Sequence, residues 1–375
     1  MNHPLPGKNN GKSRILVAPL DWGLGHATRC IPLISELLAQ GAEVWLAGEG
    51  AQAQLLTHEF PHLPFLSLRG YRMHYAKTAK GLLWKMIRQG PKMHRAIQDE
   101  QQWLKKMIQQ YQFDAVISDN RYGLHHADVP CIFITHQLEI KSSAGKWTER
   151  ILQKRNYRYI NKFTECWVPD IEGEDSLAGE LAHPLLKPAV PVRYIGPLTR
   201  FSKKEMAEKN NHLLIILSGP EPQRSLLEEI MIREIPHFTG TATIVRGLPA
   251  AKTLIPSTSM IKFYNHLGSG ELNREMQAAQ FIISRSGYST IMDAMTLQKK
   301  CIFIPTPGQT EQEYLGQYLM KKKIAYCISQ KEFSLTAALI AARQFPYAIF
   351  PINSKQLLSN AVAAFLSQFS GRALG

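Results

Sequence analysis

From Arg14 the chain reads as an apolar run, ILVAPL, then a glycine-containing turn, DWGLGH, and then a helical segment, TRCIPLISELLAQG, that ends on Gly41. The next run, EVWLAG, completes a βαβ unit. Apolar runs in FDAVISD, VPCIFITH and ECWVPD continue the alternation through the first half. After the polar stretch FSKKEMAEKNN it resumes at Leu213, with LLIILSGP, TATIVRG, MIKFYN, FIISRSG and KCIFIPTPG. Strands alternating with helices predict mostly parallel sheets. The break near 199–211 divides the chain into a first α/β domain, 12–198, and a second, 211–352. The remaining segment, 353–375, has helical apolar spacing over Ser354–Phe369, which leaves its packing partner open, the first domain among the choices. A length of 375 residues supports two cores of ordinary size. Open parallel sheets bind ligands at the C-terminal ends of their strands, so the loops after these runs are expected to line a cleft between the domains.

Composition narrows the picture. Apolar residues at 45% and charged residues at 20% are globular values. The five cysteines (Cys30, Cys131, Cys166, Cys301, Cys327) form no CxxC or Cys/His cluster, so neither a disulfide framework nor a metal site is expected. No run is long enough to cross a membrane, and the polar N-terminus lacks a signal-peptide pattern, which together point to the cytoplasm. The net charge of +14 suits an anionic partner. No nucleic-acid-binding motif accompanies it, so nucleic acid is not the expected partner. Between 69 and 98 lie Arg69, Arg72, Lys77, Lys80, Lys85, Arg88, Lys92 and Arg95 without an acidic residue, interleaved with Leu82, Leu83, Trp84, Met86 and Ile87. Such a stretch reads either as an element lying on an anionic membrane surface or as the solvated face of an ordinary helix.

The densest group of candidate chemistry runs from Arg285 to Tyr314. After the run FIIS, the segment Ser286–Thr290 supplies Gly287 for close backbone approach, hydroxyls from Ser286, Ser289 and Thr290, and a helix N-terminus that attracts phosphate. Asp293, about a turn into that helix, is placed to accept the hydroxyls of a ribose. The loop after CIFIP carries Gln309, Glu311, Gln312 and Glu313, a polar group placed to hydrogen-bond sugar hydroxyls, with Gln312 and Glu313 the leading candidates. Helix caps and a simple PxPG turn are the competing explanation for either loop taken alone.

This segment resembles the donor-binding stretch of the family 28 glycosyltransferases, in which an RSG-x-x-T loop precedes a helix with an acidic residue eight positions after the Arg, then an apolar strand, a Pro and a Q-Q/E-Y element. Arg285, Ser286, Gly287, Thr290, Asp293, Pro305, Gln312, Glu313 and Tyr314 fall into register with it. Gly23, Gly25 and His26 look like the GxxGH loop of those enzymes, and Arg29 like a GHxxR variant. The resemblance implies a GT-B architecture, two Rossmann-like α/β domains whose parallel sheets face a central cleft. It also implies a UDP-sugar donor, an acceptor hydroxyl and inversion at the anomeric carbon, with the pyrimidine near Asn265–Leu267. Two departures stand out. Asp293 replaces a longer Glu, and in Ser218–Arg224 two prolines remove N–H donors where a glycine-rich phosphate loop is expected. Ser218, Gly219, Arg224 and Arg246 are the candidate diphosphate contacts.

His26 is the candidate general base, beside the acceptor and diphosphate loop of Gly23, Gly25 and Arg29. Asp119, Asn120 and Arg121, after the run AVIS, are candidates to face the acceptor, and His136 is a second cleft histidine ranked below His26. No DxD-like carboxylate pair is present, so a metal is not expected, and no cofactor is expected beyond the UDP-sugar co-substrate. The acceptor is left open, with a lipid-linked one suited to a protein at the inner face of the cell membrane. A nucleotide-sugar hydrolase or epimerase, or a non-catalytic nucleotide-sugar binder, would share the donor features.

Overall fold

The computed structural model describes residues 12–71, 79–203, 206–249, 251–350 and 354–369. Side chains are not described for 79–90 or 354–355. Of the basic stretch read as a membrane element, residues 72–78 lie outside the described residues and the side chains of 79–90 are not described.

The first sheet has seven parallel strands: β1 (Arg14–Pro19), β2 (Glu43–Gly48), β3 (Phe65–Ser67), β4 (Ala115–Asp119), β5 (Cys131–Ile134), β6 (Glu165–Val168) and β7 (Val192–Tyr194). Their order across the sheet is β3-β2-β1-β4-β5-β6-β7. The second sheet contains β8 (His212–Ile216), β9 (Thr241–Val245), β10 (Ile261–Tyr264), β11 (Phe281–Ser284), β12 (Cys301–Phe303) and β13 (Tyr326–Cys327), in the order β10-β9-β8-β11-β12-β13. Every pairing in both sheets is parallel. The covering helices in the first half are α1 (Leu24–Ala39), α2 (Gly50–Glu59), α3 (Ala79–Tyr111) and α4 (Lys146–Ile160). In the second half they are α5 (Gln223–Glu234), α6 (Ser269–Ala278), α7 (Tyr288–Thr296), α8 (Thr310–Lys321) and α9 (Leu335–Gln344), and α10 (Ser354–Leu366) follows.

Covering a parallel sheet on both faces buries its strands completely, which is why β1, β4, β5 and β11 have every residue buried and are apolar except at their ends. α1 stops where Gly41 adopts φ 87°, a conformation open to glycine, and Ala42 N–H closes back on the Leu37 carbonyl at 3.0 Å.

The strand order of each sheet reverses once, between β1 and β4 and between β8 and β11. These two switch points place the loops after β1, β4, β8 and β11 at binding positions. α10 returns to the first half, where Phe365 lies edge-on to Trp167 at 5.5 Å and Gln40 Nε2 donates to the Ser359 carbonyl at 3.0 Å.

Candidate active site between the two sheets

α1 and α7 each begin on a glycine, Gly23 and Gly287, and neither N-terminus has a side-chain cap. The two helix starts meet: Ser289 Oγ donates to the Gly25 carbonyl at 3.1 Å. A Cβ added at Gly25 would lie 2.8 Å from that hydroxyl, so the approach requires glycine at this position. Uncapped N–H groups and the positive ends of two helix dipoles thus converge where the sheets face each other.

His26 sits one turn into α1. Its Nδ1 lies 3.1 Å from Asp119 Oδ2 and 2.9 Å from Arg29 Nη2. Asp119 is fully buried at the end of β4 and also accepts from Arg29, through Nε at 2.8 Å and through Nη2. An ionised carboxylate only accepts and a guanidinium only donates, so Nδ1 bonds one of them at a time; the tautomer with its proton on Nδ1 donates to Asp119 and leaves the Nε2 lone pair available. Burial opposes ionisation of Asp119, but Arg29 and His26 outweigh it and hold the carboxyl well below the usual carboxylate range. Burial and then Arg29 press the His26 imidazole below its ordinary value, so it is neutral at neutral pH. A neutral histidine oriented by a buried carboxylate has the makings of a general base.

The cluster continues across the cleft. Arg29 Nη1 lies 3.3 Å from His136 Nδ1, and His136 Nε2 lies 2.8 Å from Glu311 Oε1 on α8. One neutral tautomer satisfies both contacts: Nδ1 accepts from the guanidinium and Nε2–H donates to the carboxylate. Tyr288 covers the His136 ring and donates from its hydroxyl to the Pro169 carbonyl at 2.8 Å.

Several expected roles change. Asp119 does not face an acceptor; pairing with Arg29 turns it inward. Arg121 is fully buried, bonding Glu100 Oε1 at 2.7 Å and the Pro19 carbonyl at 3.1 Å, and so ties β1, β4 and α3 together. Asn120 follows β4 at φ 58° and is half-buried.

In the second half, Ser286 is buried, with its hydroxyl donating to the Gln312 carbonyl at 2.8 Å, and Ser289 is engaged by Gly25. Gln312 Oε1 accepts from Thr306 N–H at 2.9 Å and Glu313 Oε1 from Gly308 N–H at 2.8 Å, so both hold the loop after β12 rather than projecting from it. Neither Arg224 nor Arg246 is a free cation. Arg224 pairs with Glu221 at 2.6 Å and Glu228 at 3.2 Å, and Arg246 pairs with Glu228 at 2.6 Å. Ser218 is half-buried and Gly219, at φ 109°, is exposed at the end of β8; Thr290 is half-buried in the first turn of α7.

Asp293 lies on α7 and accepts a 2.6 Å bond from Thr199 Oγ1, which lies on the connection from the first domain. Burial pushes its carboxyl up to about 6 against the opposing effects of Thr199 and Arg200. Tyr288 and Thr199 were absent from the expected contacts, and Glu311, expected among the groups for sugar hydroxyls, meets His136. Glu311 lies in the TEQEY run, where sequence order alone does not say which acidic residue turns toward the first domain. Among the described residues no group of His, Cys, Asp and Glu is arranged to hold a metal ion.

Residues 269–364 match the model of the glycosyltransferase family 28 C-terminal domain. A relative from Methanosarcina mazei, described as an uncharacterized glycosyltransferase, is 22% identical over 336 residues, 80% of this chain and 81% of that one. The glycotransferase of kitacinnamycin superposes with a TM-score of 0.64 at 14% identity, covering 97% of both chains. Spinosyn rhamnosyltransferase SpnG gives 0.61 at 16% identity, over 94% of this chain and 96% of that one. Acinetobacter baumannii MurG gives 0.52 at 13% identity, over 94% and 99%. The chain has the GT-B fold of these glycosyltransferases, and its residues 269–364 match the family 28 C-terminal domain.

Proposed function

We propose that the protein transfers a hexosyl or N-acetylhexosaminyl group from a UDP-sugar to an acceptor hydroxyl, with inversion. The observation that carries this reading is the meeting of two uncapped helix N-termini, α1 and α7, beside the His26–Asp119 pair. The helix ends supply the positive potential that a departing diphosphate requires, a role otherwise given to a metal. His26 Nε2 takes the proton from the acceptor hydroxyl as its oxygen attacks the anomeric carbon and UDP leaves. Asp119 steadies the imidazolium that forms. Asp293 receives the ribose hydroxyls, exchanging its bond from Thr199 for bonds from the nucleotide.

We place the acceptor on an anionic membrane surface at the inner face of the cell membrane. The support lies on α4. Trp147 is 75% exposed and Ile151 47% exposed, on a helix whose Lys146, Arg150, Lys154, Arg155 and Arg158 are also exposed. Leu185 and Leu186 stand exposed beside this helix, where the Leu186 carbonyl accepts from Tyr157 at 2.6 Å. Apolar side chains ringed by cations suit a lipid headgroup layer. No described helix is long and apolar enough to cross a membrane, so attachment is peripheral in this reading.

The test is a thermal-shift screen against UDP, dTDP, GDP, ADP and NAD, because a ligand that binds the folded state raises its apparent stability. Selective stabilisation by UDP is expected. Preference for dTDP would move the donor class, an outcome made concrete by SpnG, which has been seen complexed with thymidine diphosphate. Release of free sugar from a UDP-sugar with no acceptor present would favour a hydrolase.

A further inference from the structure

Within the first domain the charges around His26 cancel. Arg29 carries one positive charge, Asp119 one negative, and a proton taken up by His26 leaves the group with a net positive charge in a buried setting. The second domain changes that balance. Glu311 enters from α8 and joins the same group through His136, by the 2.8 Å and 3.3 Å contacts that run from Glu311 to His136 to Arg29. Burial works against a charge on Glu311, but His136, Arg29 and His26 overcome it and hold the carboxyl below its ordinary range. The assembled group thereby gains a carboxylate, which opposes the positive charge that a proton on His26 brings.

We propose that Glu311 is a positioning residue that completes the charge balance of His26 from across the cleft, so that the base gains strength as the two domains close. The groups in contact with His26 are Arg29 on α1 and Asp119 on β4; Cys30 on α1 meets Asp119, and His136 after β5 meets Arg29. Glu311 on α8 lies behind His136. Tyr288 on α7 covers His136 and fixes the ring that links the two domains. Of these, Glu311 is the carboxylate contributed by the second domain. Deprotonation of the acceptor is thereby favoured where the donor is enclosed and water is excluded. The proposal rests on His26 as the base, but its test needs neither donor nor acceptor.

The full-length protein, labelled with ¹³C-histidine, is titrated by NMR, with the His26 resonance assigned by its loss in His26→Gln. Glu311→Gln is expected to lower the proton affinity of His26 by about three- to tenfold. Glu311→Asp, which keeps the charge on a shorter stem, is expected to fall between the two and stands in should the Gln variant fail to fold. A His26 titration unchanged in Glu311→Gln, or unchanged in Glu311→Asp if only that variant folds, overturns the proposal. Neither result depends on whether UDP binds, so a failure here is distinct from a failure of the transferase reading.

Discussion

Tyr288 lies flat against His136, with ring centroids 4.2 Å apart and planes 10° from parallel. One residue begins α7 of the second domain and the other follows β5 of the first. The stack therefore registers α7 of the second domain against the side of the first that carries His26.

His26→Ala is expected to reduce turnover by about 10²- to 10⁴-fold while leaving UDP affinity nearly unchanged. The base must be neutral to act, and burial and Arg29 press its pKa below the ordinary value. The rate should therefore rise with pH through a midpoint under that of free histidine and stay level above it. A pH–rate profile checks both statements once a turnover assay exists.

Asp293 should show itself in affinity and in stability. Asp293→Ala is expected to weaken UDP binding, and wild-type affinity is expected to fall as pH drops through about 6. Stability runs the other way. A carboxyl raised in the folded state favours folding below its unfolded pKa, and that contribution is lost as pH rises through the folded value. Asp293→Asn should consequently be more stable than wild type at pH 8, by on the order of 1–3 kcal/mol, with the gain shrinking toward pH 4. Calorimetry across that range, and UDP titration across the same range, decide it.

Gly25→Ala inserts a methyl group 2.8 Å from Ser289 Oγ and pushes the two helix starts apart. UDP affinity should fall by about tenfold, and Ser289→Ala in the same chain should recover part of the loss, since the clash is with the hydroxyl. Isothermal titration of the two single variants and the double variant measures the coupling.

Arg121→Ala removes the buried partner of Glu100 and is expected to cost about 3–5 kcal/mol of stability. Denaturant unfolding measures the loss. Because Arg121 braces the sheet and does not line the cleft, UDP affinity in the folded fraction should be unchanged.

The protein should sediment with phosphatidylglycerol vesicles and not with phosphatidylcholine vesicles, and high salt should release it. Trp147→Ser combined with Leu186→Ser should reduce binding several-fold without altering UDP affinity. Equal binding by that double variant would remove α4 from the membrane assignment.

The architecture was legible in the sequence because both faces of each parallel sheet are covered. Runs such as ILVAPL and FIIS then carry no polar interruptions, and glycine loops mark where they end. What a given polar side chain touches was far less legible. Asp119 pairs with Arg29, 90 residues away in the chain, and Glu311 with His136, 175 residues away. No local pattern encodes either meeting. Gln312 and Glu313, expected in the loop after CIFIP, lie in the first turn of α8, where the short reach back to Thr306 and Gly308 engages both side chains. Arg224 and Arg246 read as bare cations because Glu228, which pairs with both, is itself unremarkable in a charged helix.

α10 belongs by packing to the first sheet, although it follows the last helix of the second. The backbone therefore passes between the domains twice, once after β7 and once between α9 and α10. A single connection would let the halves swivel freely, whereas two connections restrain how they can turn against each other. In this arrangement Glu311 lies behind His136 and is linked through it to Arg29. Severing the chain at the first connection would not release two self-sufficient halves, because Trp167 would lose the aromatic ring that covers it.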